Sequence, residues 1–160
     1  MTDRRVGIAE LAAAAGEGTL STIGLGSCVA IVLYDVDARV GGMAHVLLPD
    51  VESGRDRTNP ARYASTALPA LVEQMTALGA VAGRLTARLA GGASMFANLV
   101  PKGTVTIGTR NVDAAREVLA AAGIPLVGED VGLDHGRSVY LSVADGRVEV
   151  RSLARGTRVL

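Results

Sequence analysis

Residues 28–48 read CVAIVLYDVDARVGGMAHVLL, and the way this stretch pairs with itself decides the fold. CVAIVLY (28–34) and VGGMAHVLL (40–48) are apolar and β-branched on both alternating faces. The polar tract DVDAR lies between them, so the pattern predicts an antiparallel hairpin. Strands that are apolar on both faces need cover on both faces. The hairpin therefore predicts a layered molecule, with sheets packed together and helices outside.

The flanking segments fit that frame. TLSTIGL (19–25) is a strand that runs into a glycine-rich bend. Asn59-Pro60 predicts a helix start, because Asn accepts an orphan amide and Pro sacrifices none at the first helical position. That helix is expected to run to about Gly79 with Ala64, Ala67, Leu68, Leu71, Met75 and Leu78 on its core face, kinked at Pro69. A second helix is expected from Asn111 to Gly123, with Val112, Ala115, Leu119 and Ala122 inward. RLTARLA, GTVTIG, IPLV, RSVYLSV and RVEVRSL are strand-like, and Asp145-Gly146 is a hairpin turn between the last two. The expected fold class is α+β, with mixed or antiparallel β-sheets packed together and flanking helices, in a single domain over residues 1–160.

Composition removes several functions. Sixteen basic side chains cancel sixteen acidic ones, and there are no Trp, one Phe and three Tyr, so neither the field nor the stacking surface of a nucleic-acid binder is present. The most apolar run stops after seven residues at Asp35, far short of the roughly 18 needed for a spanning helix, so no membrane insertion is expected. One cysteine forms no internal disulfide and the first residues lack the apolar core of a signal peptide, which predicts a cytoplasmic protein. Histidines number two and gather with no carboxylate or cysteine cluster at ligand spacing, so neither metal nor cofactor is expected.

The single cysteine, Cys28, leaves the bend GLGSC (24–28) directly into the hairpin. With the loop centred between Val36 and Asp37, Cys28 falls opposite His45, and opposed side chains on antiparallel strands have Cβ atoms about 5 Å apart. An imidazole there can take the thiol proton and hold the thiolate, bringing the thiol below its free value of about 8.5. The competing interpretation is a small buried hydrophobe, which is what a lone cysteine on an apolar strand usually is. The glycines favour chemistry, since flexible backbone at Gly26 and Ser27 lets the amides of Ser27 and Cys28 converge on a developing oxyanion. A base also needs a partner for its second ring nitrogen. Thr22, six residues before the cysteine, can offer a hydroxyl or carbonyl, whereas Ser21 points to the opposite face.

GLGSCVAIVLYD, GGMAHVLLP, GGASMF, IGTRNV, GIPLVGEDVG and GRSVYL, in that order, resemble the CheD family of chemoreceptor glutamine deamidases over nearly the whole chain. The resemblance implies a cysteine hydrolase that converts selected glutamines of methyl-accepting chemotaxis receptors to glutamate through a thioester, with methylesterase activity on methylated glutamates as a further family trait. It implies Cys28 as nucleophile, His45 as base and Thr22 as its orienting group, the three positions already nominated. It also implies cytoplasmic receptor helices as substrates, seated in a surface groove, and the chemotaxis phosphatase CheC as a partner. The family pattern has two glycines where this chain has Gly132-Leu133.

Two other functions share these features. A regulatory module for CheC would keep the fold with little catalysis, and a cysteine peptidase or transglutaminase-like acyl transferase would share the first chemical step. The remaining motif residues are expected to be structural. Gly91 and Gly92 permit a close backbone approach, Arg110 and Asn111 shape the start of the second helix, and Glu129 and Asp130 lie at a strand end facing opposite ways. His135 is expected to be an exposed loop residue.

Overall fold

The computed structural model describes residues 3–160. Among the described residues, ten strands form two five-stranded sheets. The first contains β1 (Asp3–Arg5), β3 (Thr19–Leu25), β8 (Arg137–Ser142), β9 (Val148–Ser152) and β10 (Gly156–Val159), in that spatial order. The second runs β2 (Leu11–Ala15), β5 (Val40–Val46), β4 (Val29–Asp35), β6 (Thr86–Gly91) and β7 (Leu126–Val131). Both are mixed, because β1 pairs parallel to β3 and β6 parallel to β7 while the other pairings are antiparallel. The α+β class with stacked sheets and outer helices is therefore what the chain adopts.

The expected hairpin is β4 and β5, and every residue of both strands is buried. One face packs under helices α1 (Ala64–Ala77) and α2 (Ile107–Ala121), in a core that includes Ile31, Leu33, Ala44, Leu68, Leu71 and Leu119. The other face meets the first sheet through Val32, Met43, Leu20, Val139 and Leu141. Truncating any of these core leucines to Ala costs about 2–5 kcal/mol, so each interlayer contact is a substantial share of the molecule's stability.

The loop centre of the hairpin differs from expectation. Tyr34 pairs with Gly41 and Asp35 with Val40, so the turn is Val36 to Arg39 and Ala30, not Cys28, faces His45. The cause is Asp35, which closes the strand as its last residue. Its carboxylate accepts the amides of Asp37 and Ala38, the amide of Val81 and the Arg84 guanidinium. Burial pushes this carboxyl up, but Arg84 and those amides outweigh burial and bring it to about 2. The displacement is two residues, so side-chain parity survives and Cys28 and His45 stay on one face of the sheet.

Other boundaries also moved. Asn59 caps only a short turn, Pro60–Arg62, and extended Tyr63 separates it from α1, which carries Pro69 within it and leaves Leu78 exposed. GTVTIG is not a strand: Thr106 caps α2 by accepting the Thr109 amide, and the helix starts four residues before Asn111. The strands β1, β2 and β10 come from segments that carry no strong strand pattern, LAAAA in particular reading as helix.

Candidate active site

β3 and β4 are consecutive in sequence yet belong to different sheets, so residues 26–28 carry the chain from one layer to the other. The β3–β8 pairing is irregular between Thr22 and Leu25, just ahead of this crossing. Thr22, two residues after the interlayer Leu20, faces the interlayer space from the first sheet, while Cys28 and His45 face it from the second. Cys28 is half-buried at the margin of the interlayer core, whereas Thr22 and His45 are fully buried.

Three features hold the imidazole. Its backbone is clamped by the 9–10 segment, with Ala9 N–H donating to His45 O and His45 N–H to Glu10 O, each at 3.0 Å. Its strand neighbour Ala30, and Ala90 beyond it, are small enough to leave room for a ring on this face. Its Nδ1 lies 2.7 Å from Thr22 Oγ1.

That contact settles the tautomer. The Thr22 hydroxyl has one proton and donates it to the Val6 carbonyl at 2.7 Å, so it accepts from His45 Nδ1–H. Nε2 is then the nitrogen with the free lone pair. It is buried and has no hydrogen-bond partner among the described residues, so no hydrogen bond joins it to the Cys28 sulfur in this resting arrangement. Burial pushes the His45 imidazole below its ordinary range, partly countered by Glu10, and burial likewise pushes the Cys28 thiol up, partly countered by its own amide. Both directions oppose the expected thiolate. At neutral pH these directions favour a neutral thiol and a neutral imidazole.

The bend is pinned by its carbonyls. Gly26 O accepts from Ala93 N–H (2.9 Å), Ser27 O from the Asn111 side chain (2.9 Å) and Cys28 O from Gly92 N–H (2.8 Å). None of the amides of Gly26, Ser27 and Cys28 donates to another residue among the described residues. Gly91, at φ 106°, allows this approach, since a Cβ there would strike the Cys28 carbonyl; a Cβ on Gly108 would strike that of Ala93, so α2 also rests on the cradle through a glycine. Met95 covers the outer side of Gly26, and Met95, Phe96 and Ile23 form an exposed apolar rim.

The remaining candidates are placed elsewhere. Asn111 is not at a helix start but within α2, completely buried. Arg110 points to solvent. Glu129 pairs with Arg116 on the surface, and Asp130 with Arg137 and Arg158. His135 is half-buried rather than exposed and lines a hollow of about 630 Å³ with Ile23, Gly24, Met95 and Leu153. Leu133, in the position of the second family glycine, adopts φ 61° and still accepts the Ser94 amide through its carbonyl.

Residues 47–152 match the family model described as CheD chemotactic sensory transduction, a span that begins just after His45. Proteins named probable chemoreceptor glutamine deamidase CheD match almost end to end. That of Desulforamulus reducens is 40% identical over 156 residues, covering 98% of this chain and 94% of its own. The Clostridium novyi protein is 43% identical over 157 residues, with 98% and 96% covered. The Thermococcus kodakarensis protein is 46% identical over 152 residues, with 95% and 94% covered. Among solved structures, the crystal structure of Bacillus licheniformis hypothetical protein YfiH aligns with a TM-score of 0.43 at 13% identity, covering 72% of this chain and 46% of that one.

Proposed function

The chain belongs to the CheD family, and from that premise we propose that it deamidates glutamine side chains of chemoreceptors, with Cys28 as nucleophile and His45 as base. The observation that carries the chemistry is the orientation of His45: Thr22 holds Nδ1–H and leaves a buried, unpartnered Nε2 lone pair on the same sheet face as a half-buried thiol.

Nε2 takes the thiol proton as sulfur attacks the glutamine side-chain carbonyl carbon. Because both groups rest neutral, transfer accompanies attack, as general-base catalysis. The oxyanion is received by the amides of Ser27 and Cys28 at the bend that Gly26 opens. The protonated imidazole then gives its proton to the leaving nitrogen, releasing ammonia and leaving a thioester. Water, deprotonated by the same Nε2, hydrolyses the thioester to glutamate and returns the proton to sulfur. Methylated glutamate fits the same course with methanol as leaving group. The apolar rim of Met95, Phe96 and Ile23 suits the apolar face of a receptor helix presenting one glutamine. Binding of CheC rests on family likeness, as does a cytoplasmic location; the structure contributes that among the described residues no helix is long and apolar enough to cross a membrane.

The test is incubation with a receptor cytoplasmic fragment. Ammonia release with a mass gain of about one dalton per site and an intact fragment chain is expected, since an amide NH₂ becomes a hydroxyl. Chain cleavage or amine incorporation would instead indicate the peptidase or acyl-transferase alternatives, and binding to CheC without ammonia release would indicate the regulatory one.

The pH dependence follows from the same geometry. His45 must be neutral to act, and burial moves its titration below the ordinary 6.5. Activity is therefore retained as pH falls through that value and is lost only below it. Burial moves the ionisation of Cys28 above its free value of about 8.5. The expected kcat/KM profile is flat across neutrality with an acid limb under 6.5, while iodoacetamide labelling of the thiol accelerates only in the alkaline range. A labelling limb well below 8.5 would mean a preformed thiolate, against this account.

A further inference from the structure

We infer that Asn111 is a positioning residue for the oxyanion-binding amides, acting through the Ser27 peptide and resting on the deamidase chemistry proposed above. Asn111 is fully buried, and its Nδ2 donates both protons across a chain crossing, to Ser27 O at 2.9 Å and to Leu47 O at 2.8 Å. Both acceptors are carbonyls that cannot donate, so the side-chain amide has one possible orientation. Ser27 immediately precedes the nucleophile, and Leu47 follows the strand that carries His45. A single NH₂ group therefore ties the nucleophile bend to the end of the base strand.

The tie also sets a direction. No peptide among the described residues is cis, and in a trans peptide the carbonyl and the following N–H point opposite ways. Holding Ser27 O toward α2 aims the Cys28 N–H away from the helix. Ala93 N–H does the same for the Ser27 amide by holding Gly26 O. The two donors of the oxyanion site are thus oriented from behind, by partners that never touch the substrate. Oδ1 of Asn111 is buried without a hydrogen-bond partner among the described residues, a cost that an apolar side chain of similar size would not carry. Tolerance of that orphaned acceptor fits a residue retained for placement rather than for stability.

The experiment separates oxyanion support from thiol reactivity. In Asn111→Leu, which keeps volume and removes both donors, kcat for glutamine deamidation is expected to fall about 10²-fold with KM changed less than about twofold. Acylation of Cys28 by p-nitrophenyl acetate, which passes through a tetrahedral oxyanion, should fall by a similar factor. Alkylation by iodoacetamide, a displacement with no oxyanion, should change less than about threefold. Parallel losses in acylation and alkylation, or unchanged kcat, would overturn the assignment. Asn111→Ser, which keeps one donor, should give intermediate acylation and serves if the leucine variant does not melt cooperatively. The small-molecule arms need no receptor. Absence of ammonia release by the unmodified protein would therefore count against the deamidase reading alone, with the acylation split still deciding the role of Asn111.

Discussion

Cys28→Ala is expected to lower glutamine-to-glutamate conversion by more than about 10⁴-fold, since it removes the sulfur that forms the acyl intermediate. The thermal midpoint should move little. Cys28 is half-buried at the edge of the interlayer core, outside the paired segment of β4, and its carbonyl contacts are made by backbone that the substitution leaves alone. Circular dichroism melts alongside ammonia assays read both halves. Conversion retained within tenfold would remove Cys28 from the chemistry, whereas loss of folding would show the thiol to be a packing element after all.

Asp130→Ala is expected to act in the opposite sense, chiefly on stability. The Asp130 carboxylate accepts Arg137 at 2.6 Å and Arg158 at 2.8 Å. Arg137, almost fully buried at the start of β8, also donates to the carbonyls of Asp130, Gly132 and His135. Asp130 sits on β7 of the second sheet, and both arginines sit on the first, so this cluster joins the two sheets. Removing the carboxylate strands a buried guanidinium and is expected to cost about 3–5 kcal/mol. At roughly 2–4 °C per kcal/mol for a domain of this size, the midpoint should drop by about 6–20 °C. A shift under about 2 °C would mean that Arg137 finds another counterpart.

The sequence pattern carried the hairpin, both helices and the shared face of Cys28 and His45, because burial on two sides forces apolar residues at every position and parity survives small errors of register. The exact pairing was not legible: Asp35 looks like a loop residue until Arg84, nearly fifty positions away, is seen to hold it at the end of the strand. Thr22 could be nominated from spacing, but its hydroxyl is committed to the Val6 carbonyl, and that bond, which assigns the ring protons, depends on a contact between β3 and the segment after β1. Asn111 was misplaced for a local reason. An Asn ahead of an apolar run reads as a cap, and the real cap, Thr106, lies inside a β-branched tract that reads as a strand. The neutral resting state of the thiol was hidden as well, since it depends on how deeply the bend is buried.

The crossing of the chain between layers at residues 26–28 gives the molecule an internal gauge of its own integrity. Cys28 and His45, the proposed nucleophile and base, stand with one sheet, while the Thr22 hydroxyl that holds the ring stands on the other. A slide of the two layers by about an ångström would leave every strand hydrogen bond in place and yet misdirect the ring, an error of a size that can cost two orders of magnitude in rate. Mild heat or acid should therefore silence such an enzyme before spectroscopy registers any loss of secondary structure.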